Sequence, residues 1–135
     1  MDPATFPADR FQILVDEAVA SLPDRFREAM VNIAIVVEDD PTADQLAEVE
    51  VEPPDTIYGL YEGIPLPERQ WAHGNVLPDK VTIFRNPILE DSHDEDDVVV
   101  GIGETLIHEV GHYFGLSEEE IMEIEEKYWQ GGAGD

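Results

Sequence analysis

Between Pro7 and Leu22 the apolar residues Phe11, Leu14, Val15, Ala18, Val19 and Leu22 recur at helical spacing. The pattern predicts an amphipathic helix that opens near Pro7 with Asp9 in its first turn. Pro23 interrupts it, and "PDRFREAM" predicts a second, short helical piece with Ser21 as its candidate cap. The period then changes. "VNIAIVVED" (31–39), rich in β-branched residues, is the clearest strand, and "DTIYGLYEG" (55–63) and "KVTIFRN" (80–86) are further strands separated by the connection "IPLPERQWAHGNVLPD". The acidic segment 38–55, with Pro41, Pro53 and Pro54, reads as a loop or a solvated helical turn. From about Asp96 to Phe114 the helical period returns, with Val99, Ile102, Leu106, Val110 and Phe114 as the buried stripe and Gly101 and Gly103 as marks of close approach to the sheet. "EEIMEIEEKYWQ" predicts a last amphipathic helix with Ile121, Ile124 and Tyr128 facing inward and Met122 in helix packing, and "GGAGD" reads as a flexible end.

Composition narrows what these elements can do. At 135 residues the chain has the size of one domain, so 1–135 is read as a single unit with one core. It contains no cysteine, so any metal must be held by His, Asp or Glu. A net charge of -25, from 32 acidic and 7 basic residues, repels phosphate backbones and anionic lipid surfaces. Neither nucleic acid nor a membrane is therefore expected as a partner, and the acidity reads as a solvated surface. The opening "MDPATFPADRFQ" lacks the basic start and apolar run of a secretory signal, and a soluble, cytoplasmic protein is expected. The sharpest acidic run, "LEDSHDEDD" (89–97), has no EF-hand spacing and suits anions at the start of the following helix.

The candidate chemistry lies in "HEVGHYFGLSE", 108–118. His108 and His112 are one helical turn apart, so both imidazoles project from one face and can grip a single ion. Glu109 falls about 100° round the helix from His108. Its carboxylate then stands beside the ion, placed as a general base toward a water. A third ligand is needed for a tetrahedral site with an open position, and on a straight helix Glu118 would lie too far along the axis. Gly115 changes this, because a left-handed glycine can end the helix and reverse the chain. Glu118 could then return to the ion, with Glu119 and Glu120 as adjacent acids of the same type. The same letters also fit a plain helix start, with Ser117 capping and Glu120 reciprocating.

With Gly at +7 and an acid at +10, the segment resembles the zincin-type metallopeptidases, and more narrowly the short bacterial minimal zincins, whose motif reads HExxHxxGxx followed by an acid. The resemblance extends to the opening helix with Phe11, the strand "VNIAIVVED", the segment "GLYEGIPL" and the strand "VTIFRNPI", in the family's order. It implies an α+β fold in which a small twisted sheet of three to four strands packs against helices and carries the metal helix. It also implies zinc (Zn2+) held by His108, His112 and the acid at 118. The family usually has aspartate at that last position, so Glu118 departs from the pattern by one methylene.

Larger zincins close the cleft with a second lobe, whereas only 17 residues follow Glu118 here. Met122 stands too near the third ligand to resemble a Met-turn. His73 and Tyr61 are the candidates for steadying a developing oxyanion, and Glu104 and Thr105 for steadying an imidazole from behind. The expectation is a zinc-dependent metallopeptidase that hydrolyses peptide bonds of a peptide or protein substrate with a metal-activated water and Glu109 as base. The alternative is a catalytically weak or inactive zincin-fold module that binds metal or peptide.

Overall fold

The computed structural model describes residues 1–63 and 79–134, with side chains to residue 128. The connection 64–78, including His73, lies outside the described residues. Helix α1 (Ala8–Ser21) buries Phe11, Leu14, Val15 and Ala18, and Pro23 forces Leu22 into the extended conformation that ends it. Helix α2 (Asp24–Ala29) follows with Pro23 as its cap residue and no side-chain cap. Ser21 therefore does not cap α2 as expected: its hydroxyl donates to the Ala18 carbonyl of its own helix and meets the Tyr128 hydroxyl at 2.9 Å.

Strand β1 (Ile33–Glu38) leads to a helix α3 (Ala43–Glu48) within the acidic segment, opened by a capping box in which Thr42 and Gln45 bond reciprocally. Strands β2 (Gly59–Glu62) and β3 (Asp79–Phe84) complete a mixed sheet of order β1-β3-β2 among the described residues. β1 runs parallel to β3 with Ile35 opposite Val81, and β2 runs antiparallel to it with Leu60 opposite Thr82. Central β3 is buried along almost its whole length, as a strand covered on both sides must be.

Helix α4 (Arg85–Glu90) begins where the third strand was expected to continue. Pro87 sits in its first turn, where its missing N–H costs nothing, and Ile88 and Leu89 turn into the core. Helix α5 (Glu95–Phe114) starts on Asp94, whose carboxylate accepts from the Asp97 N–H at 2.8 Å, and gathers Glu95, Asp96 and Asp97 in its first turn. The acidic run thus serves the helix N-terminus, as its position predicts. Glu95 also takes the Arg10 guanidinium of α1 through two contacts of 2.9 and 2.5 Å.

The buried arc of α5 is wider than the sequence stripe and includes Val98, Ile102, Leu106, Ile107, Val110 and Tyr113. Val99 and Phe114 are only partly buried. The helix is flanked by α1, by the sheet and by helix α6 (Glu118–Gly134), so one narrow stripe cannot cover its contacts. α6 runs through the "GGAG" expected as a free end. Met122 is 63% exposed and not packed as expected, while Ile121 is fully buried, a burial worth about 1.5–3 kcal/mol to the docking of α6.

Glycines set two close approaches. A Cβ at Gly111 would stand 2.6 Å from Ile121 Cγ1, so α6 can pack here only against a bare backbone. Gly103 likewise faces the Tyr128 ring of α6, and Gly101 has only Ile88 at 3.6 Å. These helix glycines therefore serve contacts with other helices, in place of the approach to the sheet that the sequence suggests. The close approach of α5 to the sheet occurs at Gly59 on β2, where a Cβ would overlap the Thr105 methyl and lie 3.0 Å from the Thr82 carbonyl oxygen.

Gly111→Ala is expected to lower stability by about 1–3 kcal/mol through overpacking against buried Ile121. Gly101→Ala, which meets only an ordinary contact, should raise it by up to about 1 kcal/mol through helix propensity. Urea denaturation of both variants measures the contrast, and equal effects would contradict the packing described.

Candidate metal centre

The last turn of α5 ends as the sequence requires of a chain reversal. Gly115 takes φ 74°, ψ 26°, its N–H donates to the His112 carbonyl at 3.0 Å, and the Leu116 N–H donates to the Gly111 carbonyl at 3.0 Å. This is the Schellman closure, and the side chain of Leu116 packs against the core to complete it. Two residues later Ser117 and Glu120 form a capping box, with the Glu120 N–H on the Ser117 hydroxyl at 3.2 Å and the Ser117 N–H on Glu120 at 3.0 Å. The two sequence readings of "SEEE" are thus compatible. The box uses Glu120 and makes Glu118 the first residue of α6, turned back toward α5.

The result is a cluster of three side chains. His112 Nε2 lies 3.4 Å from Glu118 Oε1, His108 Nε2 lies 3.8 Å from Glu118 Oε2, and the two imidazole rings meet edge to face at 4.9 Å between centroids. One donor atom from each residue falls within 4.8 Å of the others. Two ligands held about 2.0–2.1 Å from a tetrahedral ion would sit about 3.3 Å apart, so the set fits a divalent cation with little adjustment. Two imidazoles and a carboxylate, with no thiolate, also match the donor types that such an ion accepts.

Glu109 stands beside this cluster and is far less exposed, at 12% of its side chain against 68% for Glu118. Its Oε1 accepts the Tyr61 N–H of β2 at 2.9 Å, which leaves Oε2 on the imidazole side, 4.0 Å from His108 Nε2. Burial pushes its carboxyl above the ordinary glutamate range, opposed by the Tyr61 N–H and by the neighbouring imidazoles. Tyr61 therefore contributes its backbone to the site. Its ring packs edge to face on Tyr113 at 6.2 Å.

Neither residue expected behind the imidazoles reaches them. Thr105 donates to the Gly101 carbonyl of its own helix, and Glu104 keeps one buried oxygen without a hydrogen-bond partner among the described residues. Instead Glu125 of α6 brings Oε1 to 3.7 Å from His108 Nδ1. The sequence reading missed it, although Glu118 and Glu125 are seven residues apart and so share one face of a helix.

A cavity of about 520 Å³ adjoins the cluster, between Tyr58 and Gly59 of the β2 side, Ile88 of α4, and Glu104, His108 and Glu109 of α5. Its volume lies within the range of small-molecule and side-chain pockets.

Burial, followed by the charge of Glu125, raises the Glu104 carboxyl above its ordinary value near 4.5. A carboxyl raised in the folded state opposes folding once it ionises, and the penalty is relieved as pH falls through the raised value. Glu104→Gln should therefore melt at a higher temperature than the parent at about pH 8 without added metal. The gap should close on acidification and vanish below the ordinary glutamate range. A gap independent of pH in paired thermal melts would contradict this assignment.

A comparison with curated protein sequences finds no match. Among solved structures, a conserved hypothetical protein from T. thermophilus superposes with a TM-score of 0.51 at 17% identity, over 81% of this chain and 94% of that one. This similarity concerns the fold. The zincin-like metallopeptidase family model matches residues 30–128, which take in the whole sheet, α5, the three-residue cluster and most of α6. By that match and by the arrangement it covers, the chain belongs to the zincin-like metallopeptidases.

Proposed function

We propose that this protein is a zinc metallopeptidase whose ion is held by His108, His112 and Glu118 and whose general base is Glu109. The observation that carries the reading is the convergence of those three donors from two helices beside a half-buried carboxylate, one of whose oxygens is already fixed. When bound, zinc supplies Lewis-acid polarisation of a carbonyl and lowers the pKa of water. The remaining work falls to the chain. The Tyr61 N–H holds Glu109 Oε1, so that Oε2 is the oxygen presented to a water, and burial raises its affinity for the proton it takes. The same oxygen then delivers that proton to the leaving amine. Among the described residues strand β2 is the outer strand of the sheet, beside the cavity, which suits an extended peptide aligned along it.

A second reading, a zincin-fold module that binds metal or peptide with little turnover, is favoured by one observation. Among the described residues the cavity wall carries no Lys or Arg to neutralise an oxyanion.

Protein dialysed against buffered zinc is expected to retain about one ion per chain by elemental analysis, and His112→Ala to retain none. Glu109→Gln should keep the ion yet lose at least about 100-fold in cleavage of a peptide library. Equal cleavage by Glu109→Gln and the parent would remove Glu109 from the mechanism. Zinc retention with no cleavage by either would select the binding module.

A further inference from the structure

His108 is addressed from both sides by one helix. Glu118, the first residue of α6, lies 3.8 Å from its Nε2, and Glu125, two turns on, lies 3.7 Å from its Nδ1. The imidazole thus spans two carboxylates of a single helical face. Their spacing is fixed by the backbone and not by independent loops. Glu125 is also the more sheltered of the two, with 26% of its side chain exposed against 68% for Glu118. Among the described residues, the ion-pair partner of this sheltered carboxylate is the imidazole itself.

An imidazole can give a metal its Nε2 lone pair only if the proton sits on Nδ1. Which nitrogen carries the proton is set by what the other side of the ring can bond. Glu125 Oε1 faces Nδ1, and a movement of about 0.7 Å would bring the pair to ordinary N–H···O length. His112 has no such contact at its Nδ1 among those found for described residues; its interaction is with Glu118 through Nε2. Glu104, one turn before His108, stands close enough to Glu125 for that charge to raise its carboxyl but makes no bond to the ring.

We propose that Glu125 is a positioning residue for His108: it accepts the Nδ1 proton, holds the ring in the tautomer that leaves Nε2 as the donor, and makes α6 the source of both carboxylates that define this ligand. The inference rests on the zinc reading above, in which His108 is a ligand. In this role Glu125 acts on the ion through the His108 ring, although it also lines the cavity beside the cluster.

The test measures zinc affinity by competition with a chromophoric chelator on the full chain, together with ¹⁵N NMR of the histidine rings in metal-free protein above the imidazole pKa. Glu125→Ala is expected to weaken zinc about 10–100-fold, the cost typical of removing a partner from a ligating histidine. Glu125→Gln keeps the shape and an acceptor oxygen but no charge, and should lose at least about threefold while remaining tighter than the alanine variant. Glu123→Gln removes an exposed acid from α6 and serves as the control for charge alone, with affinity expected within about twofold of the parent. In the parent, the His108 signals should report a proton on Nδ1, and in Glu125→Ala a shift toward the Nε2-protonated form. Parent affinity in Glu125→Gln, or a loss equal to that of Glu123→Gln, would overturn the proposal, as would a parent His108 protonated on Nε2. If Glu125→Ala does not fold, Glu125→Gln and the parent tautomer decide alone. Failure of the parent to bind zinc would instead overturn the metal reading, and the two failures are distinguishable because the parent is measured first.

Discussion

The separation between helix α5 and strand β2 is the constraint on which the site depends. It is set at Gly59, where any side chain would collide with the Thr105 methyl and crowd the Thr82 carbonyl. Because nothing stands there, the helix comes close enough for Glu109 to accept the Tyr61 N–H. That bond satisfies the Tyr61 donor, shelters one carboxylate oxygen and fixes the rotation of α5 about its axis. With Glu109 directed at the sheet, His108 and His112 turn toward α6. A helix seated farther out would leave the carboxylate in water, with an ordinary proton affinity and no preferred direction.

The second constraint is the corner between α5 and α6. Only Gly115, Leu116 and Ser117 separate the helices, and all three have defined tasks: a left-handed turn, a hydrophobic closure and a cap. A corner this short allows few relative orientations. Ile121 seated against Gly111 selects among them, and the orientation it selects brings Glu118 over the histidines. Packing, capping and the donor cluster therefore depend on the same few residues.

Much of this was legible in the sequence because its signals are local. Helical and strand periods placed α1, α5, α6 and all three strands, and the His-Glu-His spacing placed the candidate chemistry on the end of a core helix. What escaped depends on contacts between distant segments. α4 was hidden because "RNPILE" continues the apolar run of β3, and its proline looks like a stop when it is a first-turn residue. The glycines of α5 were assigned to the sheet because periodicity shows that a helix face must come close to something, but not to what. Glu125 was one acid among many in α6, and only the packing of that helix on α5 distinguishes it from its neighbours. That Glu118 lies beside the histidines while Glu120 is engaged in the cap follows from the reciprocal bonds of Ser117, which the letters "SEEE" suggest but cannot set against an alternative.

Splitting the donor set between two helices has a thermodynamic consequence. With α6 undocked, α5 offers an ion two imidazoles and no third ligand from across the corner. Docking supplies the carboxylate, so if the proposed ligand set holds an ion, docking and ion binding are linked equilibria and each strengthens the other by the same free energy. Under the proposed metal reading, α6 is the element whose adherence to the core would be coupled to the ion, well away from the sheet.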